Sequence, residues 1–486
     1  MTAQQKQRSL LTFLFSNVMV GLEGTIIATA LPAMMADLKG ISLMSWVIAL
    51  FMLAMAITTP IWTKLAERFG QKEMFMLGTL IFTLASLIEA LSPNMTILLL
   101  ARVVMGIGAG AMQQLPFVIY GLWLEPTERR KQFGKATSAY AIASVLGPIV
   151  GGFIVVTLGW RWVFYINLPI GLGMIYSIWR NFHLPFTPNL KRVDYMGASV
   201  LSLMVVSLML ALQFMGNVPI VWSTVGSLML FALVMLVAFV WIERRAVDPI
   251  VPLSLFKNTS FMAKNLLMFL QYGFFGFYTN YLPTWGQGVL GNTAVVGGLI
   301  LIPASILLVV GAQVTTPLLK VISEKMMVVI GMGTMIVGDI VLVLLPQQVS
   351  VSLLMIAGAI LGLATGLTNG TVQVAIQESV LPQQISAATA LNALLRTLGT
   401  SLVLSVLALS LNQTFSNAVR HHANLTFNLL NKISDSTAAQ LINAHMLPVL
   451  RHTMYTGMHE LAVLGGIILV VAFLVNLFDP WTKPSD

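Results

Sequence analysis

Three features of this sequence predict an all-α polytopic membrane protein. Of its 486 residues 57% are apolar and 9% charged, too few charges for a water-facing surface that ordinarily carries ~25%. The apolar residues gather into fourteen blocks of about 18–25, the length that crosses ~30 Å of hydrocarbon at ~1.5 Å per residue. The 26 basic residues outnumber the 17 acidic ones, and they are unevenly placed. With the N-terminus inside, nineteen fall in cytoplasmic segments or at their edges. Five fall outside (Lys39, Arg161, Arg420, Lys432, Arg451) and two within spans (Arg102, Arg396). This positive-inside bias puts both termini in the cytoplasm, so the +9 net charge is an orientation signal. A soluble enzyme, a nucleic-acid binder and a peripheral protein are excluded.

The predicted spans are 10–32, 45–63, 73–91, 96–123, 134–157, 163–181, 195–215, 221–242, 262–285, 293–316, 326–345, 350–376, 386–410 and 457–478. The first contains Glu23 and lacks a small-residue cleavage site, so it reads as a retained helix. Two longer cytoplasmic links, 182–194 (Pro185, Pro188, Lys191, Arg192) and 243–261 (Arg244, Arg245, Pro249, Pro252), bracket spans seven and eight. The chain therefore divides into a six-helix bundle (1–181), a two-helix insert with its links (182–261) and a second six-helix bundle (262–486). The outer stretch 411–456 belongs to the last. Its Leu425, Leu429, Leu430 and Ile433 have helical spacing, which predicts short amphipathic helices over the outer face.

Spans four and twelve, the fourth helices of their halves, carry Gly106, Gly108 and Gly110, and Gly358, Gly362, Gly366 and Gly370. Such stripes let helices approach closely in lipid, and repeated halves around a central site are a common transporter design. Packing without transport fits the glycines alone equally well. The absence of cysteine excludes disulfides and thiolate metal sites. Five of the six histidines (His421, His422, His445, His452, His459) lie in or beside the 411–456 stretch without ligand spacing inside the membrane, so no metal is expected.

Charges inside the membrane come next. Glu23 lies mid-span, roughly 20 Å from the inner end at ~1.5 Å per residue. Arg102 is in span four and Asp339 in span eleven. A charge at that depth costs several kcal/mol unless paired, hydrated or neutralised, so such groups face the bundle interior or a wet cavity. A carboxyl whose surroundings alternate can load a proton on one side and release it on the other. Glu23 is either such a carrier or half of a static ion pair with Arg102; no motif surrounds Asp339 to decide its part. Glu89, near the outer end of span three, is expected to snorkel to water. Arg396, near mid-span thirteen, has a carboxylate or a substrate as its expected partner.

Several motifs carry a family resemblance. The turn after span two, Thr63-Lys64-Leu65-Ala66-Glu67-Arg68-Phe69-Gly70-Gln71-Lys72, resembles the loop between the second and third helices of the major facilitator superfamily. Thr63 stands where the family has glycine, and Gln71 removes one basic residue. Arg102 followed by Gly106, Gly108 and Gly110 is similar to the family's fourth-helix motif. Gly147-Pro148-Ile-Val-Gly151-Gly152 is similar to the antiporter motif of superfamily exporters. Leu22-Glu23-Gly24-Thr25-Ile26-Ile27-Ala28-Thr29-Ala30-Leu31-Pro32 resembles the first-helix motif of the fourteen-helix drug:proton antiporters, with glutamate for aspartate. Trp160-Arg161-Trp162-Val-Phe164-Tyr-Ile166-Asn167-Leu-Pro169-Ile-Gly171 and Asp194-Tyr-Met-Gly197 resemble the same branch. These motifs cover most of residues 20–200, while the second half matches mainly in helix count and glycine placement.

The chain thus resembles a fourteen-helix drug:proton antiporter, the quaternary-ammonium and multidrug exporter type. The resemblance implies the major facilitator fold, two six-helix bundles plus two inserted helices. It implies proton coupling through Glu23 and Arg102, with Asp339 as a further candidate, and a cytoplasmic gate at Lys64, Glu67, Arg68, Gly70 and Lys72. It also implies export direction through Gly147, Pro148, Gly151 and Gly152. The expected activity is efflux of lipophilic, cationic compounds across the cytoplasmic membrane by alternating access. The proton gradient supplies the energy, with no cofactor and no obligate protein partner. Candidate cavity residues are Gln113, Gln114, Gln271, Tyr272, Asn280, Tyr281, Asn369, Gln373, Asn392 and Arg396. The rival readings are an exporter of one metabolite or anionic lipid with Arg396 as its partner, an uptake carrier, and a membrane enzyme or sensor.

Overall fold

The structure, a computed structural model, describes residues 2–38, 44–184, 194–216, 220–421, 425–433, 442–443 and 445–481. Lys39, Pro185, Pro188, Lys191, Arg192, His422 and the side chain of Pro148 lie outside the described set. The first half contains α1 (Ala3–Leu38), α2 (Met44–Phe69), α3 (Gln71–Ala90), α4 (Met95–Trp123) and α5 (Pro126–Thr157). A one-turn α6 (Trp162–Tyr165) then leads into α7 (Asn167–Asn181). Next come the inserted α8 (Tyr195–Met215) and α9 (Trp222–Glu243). The second half opens with α10 (Thr259–Thr284), prolonged by a π turn over Trp285–Val289, then α11 (Ala294–Leu299) running into α12 (Leu301–Leu318). It closes with α13 (Glu324–Leu344), α14 (Val351–Glu378), α15 (Ile385–His421), the short α16 (Phe427–Ile433) and α17 (Leu447–Phe478).

With α6–α7 and α11–α12 each taken as one passage, the described residues hold fourteen long helices. Twelve are long and apolar enough to cross a membrane. Of the other two, α5 includes side chains outside the described set, and α10 has comparable length but a more polar sequence. The first opens on Glu128, Arg129, Arg130 and Lys131; the second carries Lys264, Asn265, Gln271 and Asn280. Capping side chains start several helices. Asn94, Asp194, Asn258 and Ser323 each accept a hydrogen bond from a backbone N–H in the first turn, which satisfies donors that lipid cannot.

The halves repeat one packing plan. In the first, α1 packs on α5, α2 on α4, and α3 on α4 and α7; in the second, α10 packs on α15, α12 on α14, and α13 on α14 and α17. The fourth-helix glycines make both α2–α4 and α12–α14 contacts possible. A Cβ on Gly106 would lie 2.5 Å from the Phe51 carbonyl oxygen, and Gly362 and Gly366 lie as close to the carbonyls of Ala304 and Leu308. The insert stands at the edge: α9 buries 17% of its apolar window against 61% for α4. Of the inserted pair, α8 packs on both halves, through α2 and α15.

One expectation needs correction. Within 411–456, α15 continues to His421 and α17 begins at Leu447, so the flanking spans reach further into this stretch than expected. Among the described residues α16 fits the expected pattern, and Leu425, Leu430 and Ile433 bury themselves in the core of the second half.

Candidate functional site

Glu23 and Arg102 meet inside the first half. Arg102 Nη1 donates to Glu23 Oε1 at 2.6 Å, and the two side chains are 1% and 2% exposed. Asn167, the first residue of α7, donates to Glu23 Oε2 at 3.2 Å and to Ser86 Oγ of α3 at 3.0 Å. Ser86 in turn donates to the Phe164 carbonyl at 2.9 Å. The Arg102 guanidinium also lies 5.4 Å from the Phe51 ring centre and 5.5 Å from that of Phe164. Six elements, α1, α2, α3, α4, α6 and α7, therefore surround one ion pair in a buried socket. The break at Ile166 is part of the construction, because it frees Asn167 to open a new helix toward Glu23.

Glu89 does not reach water, contrary to expectation. It is fully buried, with Oε2 3.8 Å from Arg102 Nη1. A position one residue from a helix end suggests solvent. Here the α6 turn and the end of α1 pack around the end of α3, and Asp37, Trp160 and Arg161 bond above it: Arg161 Nη1 donates to Asp37 Oδ2 at 2.5 Å, and Trp160 Nε1 donates to the same oxygen at 3.1 Å.

Beyond Glu23, α5 lies flush against α1. A Cβ on Gly151 would come within 2.5 Å of both Ile26 Cγ1 and Thr29 Oγ1, and Gly147 is blocked by Thr25. Gly152 faces open space. The α5 backbone therefore lies directly against side chains of the helix that carries Glu23, and α5 crosses to the second half.

That crossing happens at the basic end of the bundle, where α5 and α14 meet. Arg130 of α5 bridges Glu324 of α13 and Glu378 of α14, the latter at 3.3 Å. Gln377 Nε2 donates to the Phe117 carbonyl at 3.3 Å, and Gly121 packs on Gln377 and Ile385. The α2–α3 turn sits at the same end. Lys64 Nζ donates to Glu67 at 3.1 Å and to Asp248 of the α9–α10 link at 2.8 Å. Gly70 takes φ +101°, which glycine alone adopts without strain, and Lys72 donates to the Trp179 carbonyl. Arg68 lies over Phe69, and Glu67 is partnered by Lys64. The inter-half ion pairs were not foreseen, since Arg130 sits in a basic run that orientation alone explains.

The second half assembles five of the ten cavity candidates into one network. Arg396 Nη1 donates to the Tyr272 hydroxyl at 2.9 Å and to Gln373 Oε1 at 3.1 Å, with the guanidinium stacked 4.8 Å from the Tyr272 ring centre. Asn369 donates to the same hydroxyl at 3.3 Å, and Gln271 donates to Thr368 and, at 3.4 Å, to Asn369. Among the described residues no carboxylate pairs with Arg396. Tyr140 of α5 lies within electrostatic reach of Tyr272 and Arg396, which places this network at the junction of the halves.

The other candidates lie elsewhere. Asn392 donates to Asn265 at 3.0 Å, joining α15 to α10. Asn280 and Tyr281 line a separate crevice of about 390 Å³ among α2, α8, α10 and α15. Gln114 is buried with its amide nitrogen unpartnered, and Gln113 is half-buried beside it on α4. Asp339 is buried against Gly466 of α17, away from both the Glu23 pair and the Arg396 network.

The Major Facilitator Superfamily model matches residues 13–404. The multidrug transporter protein MdtP of Bacillus subtilis is 30% identical, covering 99% of this chain and 95% of that protein. Multidrug resistance protein 3 of the same species is 29% identical over 91% of this chain and 86% of its own length. Among solved structures, the human organic anion transporter MFSD10 superposes with a TM-score of 0.63 at 14% identity, covering 95% of this chain and 99% of that one. With the paired six-helix halves and this match over most of its length, the chain belongs to the Major Facilitator Superfamily and is a transporter, not an enzyme.

Proposed function

We propose that the protein exports lipophilic compounds across the cytoplasmic membrane in exchange for protons, with both termini in the cytoplasm. The observation that carries this reading is the buried Glu23–Arg102 pair at 2.6 Å, on a helix clamped to α5 by Gly147 and Gly151. A helix that moves α1 relative to α4 must separate or rehydrate that pair, and a carboxylate losing its cation in a dry site takes a proton. The names of the bacterial relatives support drug efflux, and the placement of nineteen of 26 basic residues supports the orientation. On that orientation the Arg130 contacts shut the cytoplasmic side, and opening it requires them to part.

The cationic-substrate expectation and its anionic rival make different demands on the cavity. Glu23 already has Arg102, whereas among the described residues Arg396 bonds neutral partners. That favours, as a second reading, a lipophilic substrate with an acidic or electron-rich group docked at Arg396 and Tyr272. Purified protein in liposomes with an imposed pH gradient separates the two. Ethidium accumulation coupled to proton flux, lost in Glu23→Gln, supports proton-coupled export of cations. Ethidium standing still while a fatty-acid probe moves with protons supports the second reading. Coupled transport that survives Glu23→Gln undamaged removes Glu23 from the mechanism.

A further inference from the structure

We propose that Glu89 is a second proton-binding residue: it shares the single guanidinium of Arg102 with Glu23, and the three groups together hold one proton when closed from water. The proposal rests on the proton-coupled reading above and adds a residue to it.

The argument is one of charge balance. Arg102 Nη1 lies 2.6 Å from Glu23 Oε1 and 3.8 Å from Glu89 Oε2, and all three side chains are essentially inaccessible. Two ionised carboxylates beside one guanidinium would leave a buried, uncompensated negative charge. Among the described residues no second cation pairs with either carboxylate. From α4 the site sees Arg102 and from α1 Glu23; α6 and α7 contribute the Phe164 ring and the Asn167 amide, both neutral. The nearest further charges, Asp37 and Arg161, neutralise each other at 2.5 Å. A buried group in that position binds a proton instead of remaining charged.

Hydrogen bonding indicates which carboxyl holds it. Glu23 accepts from the guanidinium and from Asn167, both of which favour its ionised form. Neither oxygen of Glu89 has a hydrogen-bond partner among the described residues. In this arrangement the proton sits on Glu89. A swing of Arg102 from Glu23 to Glu89 would hand the proton from Glu89 to Glu23. Glu89 also lies one residue from the end of α3, at the end of the bundle opposite Arg130, where protons arrive on the proposed orientation.

Infrared spectroscopy of the purified full-length protein tests this without a substrate. The wild type should show the C=O stretch of a buried protonated carboxyl that disappears in Glu89→Gln and moves in Glu89→Asp. Glu23→Gln should lose the same band, because one carboxylate then balances one guanidinium. An unchanged spectrum in Glu89→Gln, or an unmoved band in Glu89→Asp should Glu89→Gln not fold, overturns the proposal. The liposome assay separates this from failure of the underlying reading. If Glu89→Gln couples ethidium to protons as the wild type does while Glu23→Gln does not, Glu89 is structural and the coupling reading stands. If both variants couple normally, that reading falls as well. Uncoupled but still passive ethidium equilibration in Glu89→Gln, restored to coupling in Glu89→Asp, is the expected result.

Discussion

The two halves are built on one packing plan, yet the clusters at their centres differ in kind, although the second half also buries a Lys264–Asp479 ion pair, at 3.2 Å, near its last helix. The first half concentrates charge: Glu23, Glu89 and Arg102 share a socket formed by α1, α2, α3, α4, α6 and α7. The second half places amides, hydroxyls and a single guanidinium at the junction, where Arg396, Tyr272, Gln373, Asn369 and Gln271 bond one another. The difference teaches what each region can do cheaply. A network of neutral hydrogen bonds exchanges partners with a ligand at little net cost, since each bond is worth only ~1 kcal/mol. A buried ion pair cannot open without either water or a proton. The same scaffold thus separates a region suited to binding from a region suited to carrying charge.

The largest expected effect tests this contrast directly. Arg102→Met strands Glu23 and Glu89 together and should cost ~3–5 kcal/mol, seen as collapse of folded yield and of the melting temperature in detergent. Arg396→Met removes two bonds to neutral partners and should cost only ~1–3 kcal/mol, with transport impaired far more than stability. Equal destabilisation by the two substitutions would erase the proposed division between the halves.

A smaller effect is expected where the halves touch. Arg130→Ala removes the bridge from α5 to Glu324 and Glu378, partly exposed pairs worth roughly 1 kcal/mol, about fivefold in population. The chain has no cysteine, so a single Ser386→Cys at the buried start of α15 reports opening of that end cleanly. Labelling by an impermeant maleimide should quicken about fivefold in the Arg130→Ala background. An unchanged rate would show that the helix packing of Gly121 on Gln377 and Ile385, not the ion pairs, holds the end shut.

Much of this was legible in the sequence, and the limits are physical. Apolar blocks mark the helices because lipid imposes a length and forbids exposed backbone. Glu23 and Arg102 could be matched as a pair because few charges occur so deep. Glu89 was misread because distance along a helix measures depth only when nothing covers the helix end, and α1 and α6 pack around this one. Arg130 stayed hidden for a related reason: an arginine in a basic run looks the same whether it faces water or bridges two halves. The network around Arg396 was legible as residue types and not as a cluster, since isolated amides in three helices carry no spacing that binds them together. Asn280 and Tyr281 show the cost, because the same residue types on α10 line a different crevice.

The smallest expected effect concerns Asp339, the buried carboxyl that belongs to neither region. It lies between α13 and α17, with Oδ1 lacking a hydrogen-bond partner and Oδ2 against Gly466. No basic side chain among the described residues pairs with it, in contrast to Glu23. In the first half the corresponding α3–α7 contact is made by Thr83 against Gly171, a neutral group in the same kind of seam. If Asp339 only fills that seam, Asp339→Asn should leave proton-coupled ethidium flux within about twofold of wild type, because it lies outside both the ion-pair socket and the Arg396 network. Its melting temperature should hold or rise slightly, since an amide in a dry seam costs less to bury than a carboxylate. Loss of proton flux with intact folding would move a charge-carrying role into the second half, and the contrast between the halves would then be one of degree.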